Sequence, residues 1–593
     1  MQPPRFQLAP CPPESVLGLQ RELGVSRALA QVLVRRGHDT PQLARAFLAA
    51  DEQHDHSSFS GMESAVESIL AHVRDRRRIT VHGDYDVDGV CSTAILVRAL
   101  RALDADVDSY LPDRASDGYG LGEPTVRRLA ARGTQLLVTA DCAITAVEEV
   151  ALAHELGMRV VVTDHHSPRA DERLPDAPIV HPALGGYPCA QLCATAVAYK
   201  LAQALFNAAG RDAGELERDL DLVALATIAD VVPLIGENRT LVRRGLRVLA
   251  STTKPGLRAL MSVARVDAAR VNERSVGFAL APRINAAGRM YRADAGLELV
   301  LTQDPERAAQ IASELDRANS ERREVETRIR WEAEAQVTEL GERSAYVLAG
   351  EGWHAGVIGI VAARLVERHH RPVVLIALEQ GRGRGSGRSI GSFDLLGGLN
   401  ACAEHLIGHG GHRAAAGLEI DAANVQAFAM ALDDHAAGVL GPADLAPLEH
   451  VDAVVGGDEL GMQLAEELQS LAPFGRANPG VSLMVEDASF SDARPMGEGK
   501  HVRFTVNSRG ARARAVAFGA GGALPVPDGE PVQATFTLEV NEWRGVSEPR
   551  LVLRHASPMP APIDAARLPP RQPVAPPRAD ETEDDELVLF ALP

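Results

Sequence analysis

The sequence predicts an α/β protein: a parallel sheet flanked by helices, joined by one long helix to a second α/β lobe and followed by a small β-barrel. Three observations lead there. First, three short apolar runs end in acid. Residues 78–81 precede His82-Gly83-Asp84-Tyr85-Asp86-Val87-Asp88-Gly89, residues 136–140 precede Asp141, and residues 158–163 precede Asp164-His165-His166. Helical patterns over 90–103, 125–131 and 146–156 separate the runs, and strand alternating with helix means right-handed βαβ units and a parallel sheet. Second, Asp304-Pro305-Glu306 is a helix start, with a capping acid followed by proline at the first helical position. Ile311, Leu315, Ala318, Arg322, Val325 and Ile329 continue one face as far as the stop at Gly341, giving a helix of about 55 Å at 1.5 Å per residue. Third, short strand patterns over 501–506, 511–518 and 532–538 are spaced as in a small barrel.

In chain order, residues 1–55 read as a helical cap, with Leu29, Val32 and Leu33 at helical spacing. Residues 56–300 form the first α/β domain, 301–341 the bridging helix, 342–447 the second lobe and 448–558 the barrel. The proline-rich stretch 559–593, with the acidic run Asp580-Glu581-Thr582-Glu583-Asp584-Asp585-Glu586, has the composition of a disordered tail. Leu587-Val588-Leu589-Phe590 behind that run is either an inert end or a protein-recruiting cluster. The run 221–230 is too apolar for a surface helix, so it delivers Asp230 from the interior.

In parallel sheets the carboxyl ends of the strands share one edge, where ligands bind. His82, Asp86, Asp88, Asp141, His165 and His166 therefore converge on one crevice. Carboxylates packed so closely repel one another, and a bound cation is the simplest compensation. Mixed Asp and His ligation suits a borderline-hard divalent ion, Mn²⁺ better than Mg²⁺, which favours oxygen and keeps its waters.

Composition bounds the rest. The 593 residues exceed a single core, and 46% hydrophobic content is ordinary for a soluble chain. No run of about twenty apolar residues predicts a membrane span, and the N-terminus lacks an apolar signal region. Six cysteines form no CxxC pair, which favours free thiols and a cytoplasmic protein. The net charge of −19 bears on solubility, whereas nucleic-acid binding depends on where charge sits. Arginines cluster at Arg382, Arg384 and Arg388 and again at Arg283, Arg289, Arg322 and Arg323, predicting a local basic groove.

The set His82-x-x-x-Asp86-x-Asp88-Gly89, Asp141, Asp164-His165-His166 and Asp230 resembles the four motifs of the DHH phosphoesterase superfamily. Downstream, Trp353-His354-Ala355-Gly356, Gly385-Ser386-Gly387-Arg388-Ser389 and Gly410-Gly411-His412 look like the DHH-associated domain. The tract 281–290 looks specific to the superfamily's bacterial exonucleases that act on single strands. The resemblance covers about residues 15–555. It implies a DHH catalytic domain, a DHH-associated substrate-binding domain and an OB-like nucleic-acid-binding domain. It also implies two divalent cations, one held by His82, Asp86 and Asp141, the other by Asp88, Asp141, His165 and Asp230. Asp164 would orient ligands, Asp84 is either a ligand or an orienting carboxylate, and His166 would contact the scissile phosphate or protonate the leaving oxygen. Ser386 and Arg388 would bind the 5′-terminal phosphate opposite Arg114, Tyr119 would stack on a base, and Arg283, Asn285, Arg289 and His412 would contact the strand.

The implied activity is a metal-dependent 5′-to-3′ exonuclease that degrades single-stranded DNA to 5′-mononucleotides in DNA repair and recombination. A single-stranded-DNA-binding protein or a helicase is the implied protein partner, and no membrane is involved. A phosphoesterase of short oligonucleotides or nucleotide bisphosphates would share the core but generally lacks the barrel. A non-catalytic nucleic-acid-binding scaffold would have lost ligands that this chain keeps. His405, His409 and His412 invite a second metal-site reading, the first two lying at i, i+4, but no carboxylate or cysteine is patterned with them except Glu404. Ala143, Ala194, Ala196 and Ala226 stand where the superfamily is expected to carry glycine, and His181 where asparagine precedes proline. An added methyl can block a positive φ.

Overall fold

Ile79–His82 are buried along their whole length, as a strand covered on both faces must be. They pair in parallel with Val107–Tyr110 on one side and Leu136–Thr139 on the other. Arg159–Thr163 and the two-residue strand Ile179–Val180 complete a five-stranded, all-parallel sheet. This computed structural model describes residues 5–112, 120–169, 171–290, 294–543 and 545–558. Helices Val87–Ala102, Glu123–Ala131 and Val147–Glu155 make the crossovers that the sequence pattern predicts. The strands at 107 and 179 carry no such pattern, the first being half-exposed throughout and the second very short.

The sheet belongs to a unit of residues 50–328 together with 473–478. Its core includes helix Leu220–Ala229, in which every residue from Leu220 to Ile228 is buried. That helix packs against Gly236–Ala250, where Gly245 meets the Leu220 carbonyl so closely that a Cβ would stand 2.2 Å from its oxygen. Acids buried at its start are neutralised locally: Lys254 Nζ lies 2.8 Å from Asp221 and 3.1 Å from Asp219, and Arg98 Nε 3.2 Å from Asp219. Removing one partner of such a set leaves an uncompensated buried charge, the costly case.

Helix Pro305–Leu340 starts on the Asp304 cap, whose Oδ1 accepts the Glu306 amide at 2.9 Å, and stops before Gly341 at φ +69°. The other unit takes residues up to 49, 329–472 and from 479 on. Its mixed sheet runs in the order Gly408–Gly411, Ala415–Asp421, Arg382–Arg388, Val373–Glu379, Tyr346–Glu351, with only the last pair parallel. The barrel closes because Leu483–Met496 pairs with both His501–Ser508 and Pro531–Trp543, while Ala511–Ala517 and Val546–Pro558 complete the ring. The N-terminal segment contains the expected helices, but it begins with a strand, Arg5–Leu8, paired in parallel with Leu448–Val451. Gln31 Nε2 donates to the Val454 carbonyl at 3.1 Å, and Arg36 pairs with Asp452 at 2.9 Å. The cap is thus stitched to the start of the barrel segment, more than 400 residues away in sequence. Among the described residues no helix is long and apolar enough to cross a membrane. The predicted tail 559–593 lies outside the described residues.

The Gly245 contact sets a test of how firmly the Asp230-bearing helix is seated. Gly245→Ala forces two helices apart, and overpacking of this kind costs about 1–3 kcal/mol. Differential scanning calorimetry should show a lower melting temperature, and an unchanged transition would refute the close approach.

Candidate metal centre

The first acidic motif folds as a strand end, a tight loop and a helix start. Gly83 is required there, since a Cβ would stand 2.0 Å from Thr93 Oγ1, and Gly89 because a Cβ would reach the Asp84 carbonyl oxygen at 2.4 Å. Asp86 caps helix Val87–Ala102, its Oδ1 accepting the amides of Asp88 at 2.9 Å and Gly89 at 3.0 Å. Buried Asp88 faces the N-terminus of helix Ala194–Ala208. It accepts the amides of Ala194 and Thr195, both at 2.8 Å, and the Thr195 hydroxyl. Orphan amides and the helix dipole favour an anion at that end.

The other carboxylates arrive from element ends. Asp141 follows strand Leu136–Thr139 at φ +68°, its amide bonded to the Thr163 carbonyl at 3.1 Å. Asp230 ends helix Leu220–Ala229 and is followed by Val231 at φ +57°. His165 Nε2 lies 3.2 Å from Asp141 Oδ1, 3.7 Å from Asp230 Oδ2 and 3.8 Å from Asp88 Oδ2. Asp164 turns both oxygens to hydrogen bonds. Oδ1 takes the amides of His165 and His166 and the His166 ring Nδ1 at 2.8 Å, and Oδ2 takes the Ile144 amide at 2.9 Å. The His166 ring stays partly exposed, 3.7 Å from Asp141.

Three groups of donor atoms lie within 4.8 Å of one another: Asp84, Asp86 and Asp141; Asp88, His165 and Asp230; Asp141, His165 and His166. Asp84 therefore stands with the ion-sized groups. His82 belongs to none of the three; its Nδ1 meets the Cys142 thiol at 3.4 Å. Burial first, and then the neighbouring carboxylates, push the acids of Asp86, Asp141 and Asp230 above their ordinary range. Burial lowers His165. At His166 burial works the same way, but the Asp164 hydrogen bond and charge overcome it and raise the ring to about 9. Asp141 Oδ1 and His165 Nε2 are buried and make no hydrogen bond although they face each other. Buried donor atoms without hydrogen bonds, among carboxylates that repel, fit a divalent cation.

The remaining candidates divide by role. Asn285 Oδ1 accepts the Val87 amide at 3.0 Å, so this side chain holds the acidic loop in place. Gly288, on the same helix, presses on the loop, a Cβ there falling 2.7 Å from the Tyr85 carbonyl oxygen. Arg283 is engaged with Asp316 at 2.8 Å and with the Ala279 carbonyl at 2.6 Å, and Arg289 is half-buried nearby in sequence. In the other unit, Arg388 donates to Ser386 Oγ at 3.1 Å, and a Cβ on Gly359 would press on both side chains. His412 is exposed beside strand Ala415–Asp421. Arg114 and Tyr119 lie outside the described residues. Thr195, which seats Asp88, was not foreseen from the sequence; its signal is a hydroxyl in the first turn of a helix facing an acid.

Residues 78–227 match the DHH family, N-terminal domain, 341–438 the DHHA1 domain and 451–555 the RecJ OB domain. The single-stranded-DNA-specific exonuclease RecJ of Dickeya dadantii is 36% identical over 577 residues, covering 92% of this chain and 97% of that protein. The chain belongs to the RecJ family. The Bacillus subtilis RecJ is 37% identical over 558 residues, covering 92% of this chain and 70% of its own length. The crystal structure of RecJ in complex with Mn²⁺ from Thermus thermophilus superposes with a TM-score of 0.82 at 32% identity, covering 94% of this chain and 80% of that one.

Of the four alanines at positions where glycine is expected in the RecJ family, only Ala143 takes a left-handed backbone, at φ +82°. Ala194, Ala196 and Ala226 sit in ordinary helices, where a methyl costs nothing. His181 does a local job: its Nδ1 accepts the amides of Ala183 and Leu184, both at 3.2 Å, and its Nε2 meets the His166 carbonyl at 2.8 Å. Left-handed alanine is disfavoured by about 1–2 kcal/mol, part of which glycine returns through its freer unfolded chain. Ala143→Gly should therefore stabilise the catalytic unit by about 0.5–1 kcal/mol, read as a higher melting temperature. A decrease would show that the Ala143 backbone is unstrained.

Proposed function

We propose that this chain is a single-stranded-DNA-specific exonuclease that works from the 5′ end and releases 5′-mononucleotides. The observation that carries the proposal is the convergence of Asp84, Asp86, Asp88, Asp141, His165 and Asp230 in ion-sized groups that share Asp141 and His165, on the strand-end edge of a parallel sheet. The similarity to RecJ exonucleases over most of the chain supports it, as do the Mn²⁺ and Mg²⁺ complexes of the Thermus thermophilus relative. Two divalent cations, Mn²⁺ favoured, would be held by His82, Asp86 and Asp141 and by Asp88, Asp141, His165 and Asp230, as the resemblance to the family implies. Such ions supply charge stabilisation at the attacking and leaving oxygens of an in-line displacement. The chain itself does the positioning. Asp141 is set by its left-handed backbone, Asp88 by the amides of Ala194 and Thr195, and Asp230 by the end of its helix. His166, oriented by Asp164, contacts the scissile phosphate and holds the proton that the departing 3′ oxygen requires. Ser386 and Arg388 bind the 5′-terminal phosphate, and the OB barrel guides the strand by stacking and charge. The setting would be the cytoplasm, in DNA repair and recombination, with a single-stranded-DNA-binding protein or a helicase delivering the strand.

Two predictions test this reading. Asp141→Asn keeps a side chain that tolerates a left-handed backbone while removing the charge. It should lower Mn²⁺-dependent nucleotide release from a 5′-labelled single strand by about a thousandfold or more, or ~4 kcal/mol, with circular dichroism unchanged. Near-normal turnover would end the two-ion assignment, and cleavage of dinucleotides alone would favour a short-substrate phosphoesterase. Arg388→Ala and removal of the 5′ phosphate should each weaken binding by about tenfold, and together by little more, because they delete two sides of one contact. Additive losses in equilibrium binding would place Arg388 elsewhere on the strand.

A further inference from the structure

Helix Ala194–Ala208 begins without a cap of its own. Cys193, the residue before its first turn, offers no side-chain acceptor to the amides that follow, and the first amides of a helix have no partner within it. The acceptor is Asp88, 106 residues before Ala194. The Ala194 amide donates to Asp88 Oδ2 and the Thr195 amide to Oδ1, both at 2.8 Å. The Thr195 hydroxyl adds a third donor, 2.5 Å from the same Oδ1 and 3.0 Å from the Asp88 carbonyl. A hydroxyl has one proton to give, and the ionised oxygen at the shorter distance takes it. Thr195 and Asp88 are both buried, so bulk water does not compete for these positions.

The two oxygens of Asp88 are therefore not equivalent. Each oxygen of a carboxylate has two lone pairs for donors or cations. On Oδ1 the Thr195 amide and hydroxyl occupy both. On Oδ2 the Ala194 amide occupies one, and the other remains, on the atom that lies 3.8 Å from His165 Nε2. Asp88 groups with His165 and Asp230 at ion-sized spacing, so a cation held there meets one oxygen of Asp88 rather than two. Without the hydroxyl, Oδ1 regains a lone pair and the carboxylate can chelate through both oxygens. That difference bears on which ion fits. Ca²⁺ takes a larger, looser set of oxygens and accepts carboxylates through both atoms, whereas Mn²⁺ and Mg²⁺ keep to octahedral sets.

We propose that Thr195 is a positioning residue that restricts Asp88 to one free oxygen and so selects against Ca²⁺ at the Asp88–His165–Asp230 group. The inference rests on the metal centre of the exonuclease reading and is independent of which strand or end is cut. The amides of residues 194 and 195 are main-chain atoms, so replacing the Thr195 side chain leaves Asp88 capping the helix.

The test uses the full chain. Bound Mn²⁺ is read from the loss of the free-ion signal in electron paramagnetic resonance, with Ca²⁺ titrated in as competitor. Thr195→Val keeps the branched shape and removes the hydroxyl. Its ratio of Mn²⁺ to Ca²⁺ affinity should fall about tenfold, the size of effect expected from losing a contact behind a metal ligand, so that one equivalent of Mn²⁺ leaves at lower Ca²⁺. Thr195→Ser, which keeps the hydroxyl, should match the unsubstituted chain. Thr195→Ala repeats the removal with a smaller side chain in case valine prevents folding, and circular dichroism reports which variants fold. A general weakening of the site would lower both affinities together and leave their ratio alone. An unchanged ratio in the variants that lack the hydroxyl overturns the proposal, and so does a serine variant that behaves like valine. If the unsubstituted chain binds no Mn²⁺ at all, the metal centre itself fails, and this assignment with it.

Discussion

Mutual repulsion among buried carboxylates governs how the sheet unit is built. Five aspartates occupy a space in which three ion-sized groups share members, and burial and neighbouring carboxylates push Asp86, Asp141 and Asp230 above their ordinary range. Backbone amides meet three of the acids of this region. Asp86 sits on the first amides of its own helix, Asp88 on the start of another, and Asp164 on the Ile144 amide. Each contact fixes an oxygen without a mobile partner, so the remaining lone pairs keep a set direction. A parallel sheet suits this because every strand ends on the same edge, and each crossover helix then starts there with free amides.

Holding acids at such ends requires unusual backbone. Asp141, Ala143 and Val231 all take left-handed conformations, and for a β-branched residue that is a genuine outlier. Strain of this kind persists only where the surroundings over-determine it. Here they do: Asp141 is tied to Thr163, Ala143 precedes an amide bound by Asp164, and Val231 lies between the buried helix and Leu234, whose amide donates to the Arg476 carbonyl.

The mixed sheet in the other unit solves a different problem, presenting charge from a strand packed against a core. Along Arg382–Arg388, glycines alternate with arginine and serine. A Cβ on Gly383, Gly385 or Gly387 would stand 2.6 to 2.8 Å from Ile376, Leu418 or Leu395, so only glycine lets those side chains close. The opposite face carries Arg382, Arg384, Ser386 and Arg388, set by the period of two.

What the sequence determined by itself is local. Continuous apolar runs and period-3.6 patterns placed three of the five parallel strands, their crossover helices and both ends of the 36-residue helix, because burial leaves a mark in consecutive residues. Acids at the ends of those patterns converge because parallel strands share an edge. Tertiary structure alone decided the pairings between distant segments. Arg5–Leu8 finds Leu448–Val451, Asn285 holds the acidic loop at Val87, Thr195 seats Asp88, and the Arg476 carbonyl takes the Leu234 amide. Each depends on one or a few hydrogen bonds across a hundred or more residues, and such bonds impose no periodicity on the chain at either end.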